Sequence, residues 1–248
     1  MRALVLRLEA PLMAFGGVAV DALGPTTRFP GRSLLTGLLA NALGWDQSAF
    51  AAHGALQGRL RYAARLDRCA PSVLTDYQTV DLGQPHLAHD GWTTRGVPEG
   101  RRGGPAAKGT HIRQRQYLQD ASVVVALTLD PAGEAPTLDD LAAALEAPAR
   151  PLFLGRKPCL PSAPLLVKDA LRDGETLRAI LEGVVPDDDA DPAPWPALWP
   201  LEDGEAEGSR IVSLTDDRDW STQMHTGSRL MHQGRLPVPI AFVGEDRP

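Results

Sequence analysis

Two stretches of helical periodicity, each flanked by stretches of alternating periodicity, restrict the fold more than any other feature of this chain. Leu4, Leu6 and Leu8 alternate with Ala3, Val5 and Arg7, the signature of a half-buried strand, and Pro11 is expected to end it. Residues 32–44, RSLLTGLLANALG, bring Leu34, Leu35, Leu38, Leu39, Ala42 and Leu43 to one helical face, with Gly44 as the stop. Leu60, Tyr62, Ala64 and Leu66 then alternate with Arg59, Arg61, Ala63 and Arg65, which predicts a second strand with an arginine-rich outer face. ASVVVALTL at 121–129 reads as a third strand. Thr137 caps a second helix, with Asp140 three residues on in a capping-box position and Leu138, Leu141, Ala142 and Leu145 as its apolar stripe. A short fourth strand is expected near 165–167.

Strand, helix, strand, strand, helix, strand is the split βαβ order of an α+β, ferredoxin-like (RRM-like) domain, here placed at 1–168. Residues 69–120 depart from a simple version, because a turn of a few residues would join the second and third strands and loops beyond about 15 residues are uncommon. The centre of this insertion is rich in glycine and arginine, and it reads as a flexible basic projection. Residues 169–208 form an acidic, proline-rich variable region, in which PDDDADPAPWPALWP at 186–200 is expected to be a surface loop. Residues 209–248, with IVSL and PVPIAFV, predict a small C-terminal β extension.

The charge distribution narrows the function classes. The net charge is −6, yet twelve acids against Arg172 and Arg178 give residues 169–207 a balance of −10. Arg95, Arg101, Arg102, Lys108, Arg113 and Arg115 against Glu99 give residues 95–115 a balance of +5. Six cations on a glycine-interrupted segment do not build a packed core; they are solvated or they meet phosphate. Catalytic templates are missing: there is no GxSxG, no Walker lysine loop, no HExxH and no GxGxxG between strand and helix. The six histidines form no ligand pair, Cys69 and Cys159 form no CxxC, and the acids at 187–191 read as a solvated loop, so neither a metal nor another cofactor is expected. No apolar run approaches the roughly 20 residues of a membrane span, and a cytoplasmic protein is expected.

Single-stranded RNA is held by cations on phosphates and by aromatic or apolar side chains on splayed bases. Met13 and Phe15 stand next to Gly16 and Gly17, where backbone can approach closely and a ring can be exposed. Arg28, Arg32 and Ser33 stand at the entrance of the first helix, whose free N–H groups favour an anion. Arg156 and Lys157 form a second basic turn after Gly155. Arg59, Arg61, Arg65 and Arg68 on the second strand fit a solvated sheet surface as well as a binding face.

With these residues assembled, the chain resembles the Cas-five family of type I-E CRISPR Cascade subunits, in the RAMP superfamily of RNA-binding proteins. The resemblance is carried by LRLEAPLMAFG at the start, GPTTRFPGRSLLTGLLANALG across the first helix, TDYQTV at 75–80, RQRQYLQDASVVVAL at 113–127 and PLFLGRKPCLPSAPL at 151–165. It implies a ferredoxin-like palm, a β-hairpin thumb at about 81–116, and capping of the crRNA 5′ handle. It further implies contacts with the Cascade backbone and large subunits and with target DNA through the complex. The subunit it implies is not catalytic. Type I-C relatives instead cut precursor RNA with Tyr, Lys and His, which makes Lys108, His111 and Tyr117 the alternative, metal-free acid-base set. A protein-protein adaptor with an incidental basic loop is the third class.

Overall fold

The computed structural model describes residues 1–17, 22–81 and 110–237, with backbone alone at 91–92 and 98–99. In chain order the elements are β1 (Arg2–Met13), β2 (Leu23–Gly24), α1 (Arg32–Ala42), α2 (Phe50–Arg59), β3 (Leu60–Arg68), β4 (Leu74–Asp81), β5 (Gly91–Trp92), β6 (Pro98–Glu99) and β7 (Thr110–Leu129). They continue with α3 (Leu138–Glu146), β8 (Leu166–Asp173), α4 (Leu177–Glu182), β9 (Trp195–Pro200), β10 (Arg210–Leu214), β11 (Asp217–Asp219), β12 (Met224–Thr226) and β13 (Arg229–Leu236). The main sheet runs β10, β13, β9, β3, β7, β1, β8, with every neighbouring pair antiparallel. The fold is therefore mixed α and β around an antiparallel sheet.

Strand β7 serves two purposes. Its second half lies between β1 and β3, with Leu127 opposite both Leu4 and Tyr62. Its first half leaves the main sheet and pairs with β4, from Leu74 opposite Tyr117 to Asp81 opposite Thr110, while β2 pairs in parallel on the other side. The bend falls at Asp120, whose φ is +45°. Asp120 stands opposite Pro11, which the register skips, so β1 runs on to Met13 instead of ending at the proline. The register is unchanged on either side, so the proline, which has no N–H to donate, costs the ladder one pair only.

Alternation places Leu4, Leu6 and Leu8 in a core beneath α1, α2 and α3, as expected of β1. The other face is not solvated. Ala3, Val5, Ala63, Val124 and Ala126 are buried there against Leu177, Ile180 and Leu181 of α4 and Trp199 of β9. The sheet is thus covered on both sides, and the half-buried reading of β1 gives way to a doubly buried strand.

The same cover corrects the arginine-rich outer face of β3. Arg65 is 0% exposed and paired with Asp67. Arg59 donates to the carbonyls of Pro131, Glu134 and Ala135, and Arg68 meets Glu9, Asp120 and Asp189.

The stretch at 186–200 is not a surface loop throughout either, since it ends in β9. The expected boundary at 168/169 falls inside β8, and residues 169–208 supply α4 and β9. Asp187 pairs with Arg7, Asp189 pairs with Arg68, and the Asp191 carboxylate accepts from the Cys69 amide at 3.1 Å. Arginines on β1 and β3 thus neutralise acids far along the chain. The C-terminal extension is continuous with the main sheet through β9, while 238–248, including PVPIAFV, lies outside the described residues. Among the described residues no helix is long and apolar enough to cross a membrane, and no group of three or more His, Cys, Asp or Glu is placed to hold a metal ion.

Candidate nucleic-acid interface

Four segments converge at the end of β1: residues 14–17, the approach to α1, the 151–160 loop and the β11–β12 hairpin. The Ala14 amide donates to Leu154 O at 3.1 Å, the Phe15 amide to Thr26 Oγ1 at 3.0 Å, and the Thr27 amide to Gly16 O at 2.8 Å. Gly16 and Gly17 hold φ of +82° and +153°, a region that side-chain-bearing residues rarely adopt. Two clefts of about 490 and 500 Å³ open on either side of this turn and share Phe15, Gly17, Ser33 and His225.

The residues expected to meet RNA divide into three sets. Gly16, Ser33 and Arg156 line the first cleft, and Arg28 lines the second, exposed and with no hydrogen-bond or ion-pair partner among the described residues. Arg113 and Arg115 line a third cleft of about 250 Å³ together with Arg156. Alternation places His111, Arg113 and Arg115 on one face of the β4–β7 ribbon, where Arg115 donates to Gln78 at 2.7 Å. Arg156 donates to Gln116 O and Gly24 O, both at 2.8 Å, with its guanidinium 4.8 Å from the Tyr117 ring. Carbonyl partners hold it without neutralising its charge. Lys157 is exposed.

The second set is buried or occupied. Met13 is 0% exposed because β1 carries it into the core, where it has no surface to offer a base. Phe15 is 6% exposed, so the ring expected to stand free is mostly packed in the core. Arg32 is gripped by both carboxylate oxygens of Asp217. The third set, Arg95, Arg101, Arg102 and Lys108, lies outside the described residues. Of the alternative acid-base set, His111 and Tyr117 are six residues apart on β7, about 20 Å at the usual strand rise. Tyr117 is buried beneath Arg156.

The anion expected at the start of α1 is the protein's own. The N-cap is Gly31, which has no side chain, and Asp216 fills the place: Oδ2 accepts from the Arg32 amide at 2.8 Å and the main-chain O from the Ser33 amide at 3.0 Å. Arg229 grips the same carboxylate at 2.8 and 2.7 Å, and Tyr62 Oη donates to it at 3.2 Å. Burial pushes the Asp216 pKa up, but Arg229 and the α1 amide outweigh burial and hold it below the ordinary value. Ionised Asp216 therefore stabilises the fold above the ordinary carboxylate range, near pH 4, and that stability is lost as pH falls through the lower folded-state pKa. The urea midpoint of the native chain should fall more steeply below about pH 4 than that of Asp216→Asn. Superimposable pH profiles would show that the carboxylate is not held as described.

Sequence periodicity missed Asn41, Phe153, Arg218, Trp220 and His225, all of which line the first cleft. Arg218, Trp220 and His225 sit on or between two three-residue strands, too short to show a pattern.

Residues 3–232 match the family described as CRISPR-associated protein (Cas_Cas5). The CRISPR system Cascade subunit CasD of Escherichia coli (strain K12) is 34% identical over 164 residues, 66% of this chain and 69% of that protein. A chain of a solved structure described as a CRISPR RNA-guided surveillance complex superposes with a TM-score of 0.65 at 25% identity, covering 96% of this chain and 92% of that one. A second, described as the crystal structure of a Cas protein, gives 0.59 at 26% identity, with coverage of 96% and 97%. With the match running from β1 into β13, the protein belongs to the Cas5 family of CRISPR-associated proteins.

Proposed function

We propose that this chain is a non-catalytic RNA-binding subunit of a type I-E Cascade surveillance complex and caps the 5′ handle of the crRNA. In this reading β8, β1, β7 and β3, in that spatial order and with α1 and α3 on one face, form a ferredoxin-like palm. β4 and the first half of β7 form the base of the thumb expected at about 81–116. Other surfaces meet the backbone and large subunits, and target DNA is met through the complex, where base pairing with the guide reads the sequence.

The observation that carries the reading is the placement of Arg113 and Arg115 from β7 and Arg156 from the 151–160 loop around one cleft. Cations from separate elements around a groove suit a phosphate backbone. The test is metal-free binding of the protein's own labelled repeat RNA across a salt series. Affinity should fall steeply with salt, and Arg113→Ala or Lys157→Ala should each make the log–log slope shallower by about 0.7, the contribution of one phosphate contact on a single strand. Arg32→Ala, whose guanidinium is spent on Asp217, should lower stability by about 1–2 kcal/mol and leave the slope unchanged. Salt-independent affinity would overturn the assignment. So would metal-free cleavage of the repeat abolished by Lys108→Ala, His111→Ala or Tyr117→Phe, which would make the protein the nuclease.

A further inference from the structure

The ladder that joins the main sheet to the β4–β7 ribbon is interrupted on one side. Toward β1 it is continuous, as far as Met13 opposite Leu118. Toward β3 it stops at Arg68 opposite Ser122, and β4 takes β7 up again only at Leu74 opposite Tyr117. In the gap the Ala70 amide donates to Gln119 O at 3.1 Å and Gln119 Nε2 donates to Ser72 O at 3.0 Å. Asp120, with its φ of +45°, turns the strand within this gap. Two-stranded ribbons twist more freely than wide sheets, so the angle of this one depends on what replaces the missing pairs.

Side chains replace them. Arg68, whose side chain is 12% exposed, stands at the last β3 pair and reaches three elements at once. It donates from Nε to Asp120 O at 3.2 Å, meets the carboxylates of Asp120 and of Glu9 on β1 at 3.3 Å each, and pairs with Asp189. The acidic stretch that supplies Asp189 is itself fastened to the end of β3. The Asp191 amide donates to Asp67 O at 2.8 Å, its carboxylate accepts from the Cys69 amide at 3.1 Å, and its main-chain O accepts from Trp195 Nε1 at 2.7 Å. Without Arg68, three carboxylates would surround the space of one guanidinium and repel one another.

The angle matters because the cations of the third cleft stand on different bodies. Arg113 and Arg115 precede Asp120 on β7, whereas Arg156 belongs to the loop fastened to the end of β1 through the Ala14 amide. Arg156 holds the opposite flank of the ribbon through Gln116 O and Gly24 O. We propose that Arg68 is a positioning residue: held by Glu9, Asp120 and Asp189, it sets the angle at which the β4–β7 ribbon leaves the main sheet, and so the spacing of Arg113 and Arg115 from Arg156. Its consequence for RNA rests on the RNA-binding reading above; the angle itself does not.

Two spin labels on the full chain read the angle, one on the ribbon at Thr79→Cys and one on α3 at Glu146→Cys. The background is Cys69→Ala, since Cys69 meets Asp191 through its amide, and Cys159 is fully buried. The interspin distance of the free chain should be one narrow distribution, which Arg68→Ala broadens. Asp189→Ala, which removes an exposed carboxylate, should broaden it too and supplies the readout should Arg68→Ala fold poorly. Asp187→Ala breaks the neighbouring pair with Arg7, opposite Val124 and away from the root of the ribbon. It should lower the melting temperature and leave the distance unchanged. In the salt series with repeat RNA, Arg68→Ala should bind more weakly at an unchanged slope, by about tenfold where roughly a tenth of the molecules keep the native angle. An unchanged distance in both Arg68→Ala and Asp189→Ala would overturn the proposal. A slope shallower by about 0.7 would do the same, because Arg68 would then be a phosphate contact itself. Broadened distances with undiminished affinity would keep the role of Arg68 and remove the RNA-binding reading of the ribbon.

Discussion

Replacing Asp67 by alanine is expected to cost about 3–5 kcal/mol of stability, because it strands a guanidinium in the core. Arg65 and Asp67 are two residues apart on β3 and so point to the same face, the one covered by α4. Their side chains are 0% and 1% exposed, joined by bonds of 2.6 and 2.8 Å. Arg65 also donates to Leu181 O at 2.7 Å, which the Val184 amide reaches at 3.1 Å as well, and to Val184 O at 2.9 Å just past the end of α4. Its guanidinium carbon lies 4.9 Å from the Trp195 ring. Removing the carboxylate leaves the cation with carbonyls and a ring but no opposite charge. For a chain of this size the loss corresponds to a melting temperature about 6–20 °C lower. The double variant Arg65→Met with Asp67→Leu should recover most of it, since an apolar pair has no charge to desolvate. Urea denaturation reads both results. A cost below 1 kcal/mol for Asp67→Ala would mean that this face is solvated and that residues 169–208 do not cover it.

That pair marks the boundary of what the sequence makes legible. Alternation shows which β3 side chains share a face, but not what covers the face, and the cover here comes from a helix more than a hundred residues later. Local partners are legible. Thr137 and Asp140 form the expected reciprocal capping box because both members lie within one turn, and Gly44, with φ +79°, follows α1 where a stop was expected. Distant partners are not: Asp216 caps α1 from 184 residues away, and Asp187 and Asp189 reach Arg7 and Arg68 across the sheet. Helix α2 escaped notice because FAAHGALQGR has two glycines and no side-chain cap. Its turns are held by packing, with Leu56 in the main core and His53 against Trp220. The clefts themselves depend on such meetings, so Arg28 and Ser33 were visible as polar residues at a helix entrance, whereas Trp220 and Arg218 carried no signal of where they would lie.

Gly155→Ala is expected to be the most damaging glycine substitution near the clefts, costing about 3 kcal/mol or more. Two effects combine there. Gly155 holds φ +103°, and a Cβ at this position would stand 1.7 Å from Ala14 O, a backbone atom with no flexible end to move aside. Two other glycines separate the causes. Gly133 has open space and an ordinary φ, so Gly133→Ala should be within about 0.5 kcal/mol of the native chain. Gly208 has φ +71° but nothing within 4 Å, so Gly208→Ala should show strain alone, about 1–2 kcal/mol. The excess at Gly155 measures the close approach of the 151–160 loop to residue 14. The loss should also reach function, because the same loop carries Arg156 to Gln116 O and Gly24 O and so completes the cationic cleft with Arg113 and Arg115. At a temperature where Gly155→Ala is still folded, its affinity for the repeat RNA should fall with Arg156 displaced, while Gly208→Ala binds as the native protein does. Equal RNA affinity in the folded Gly155→Ala chain would mean that the loop's attachment to residue 14 does not position Arg156 for RNA.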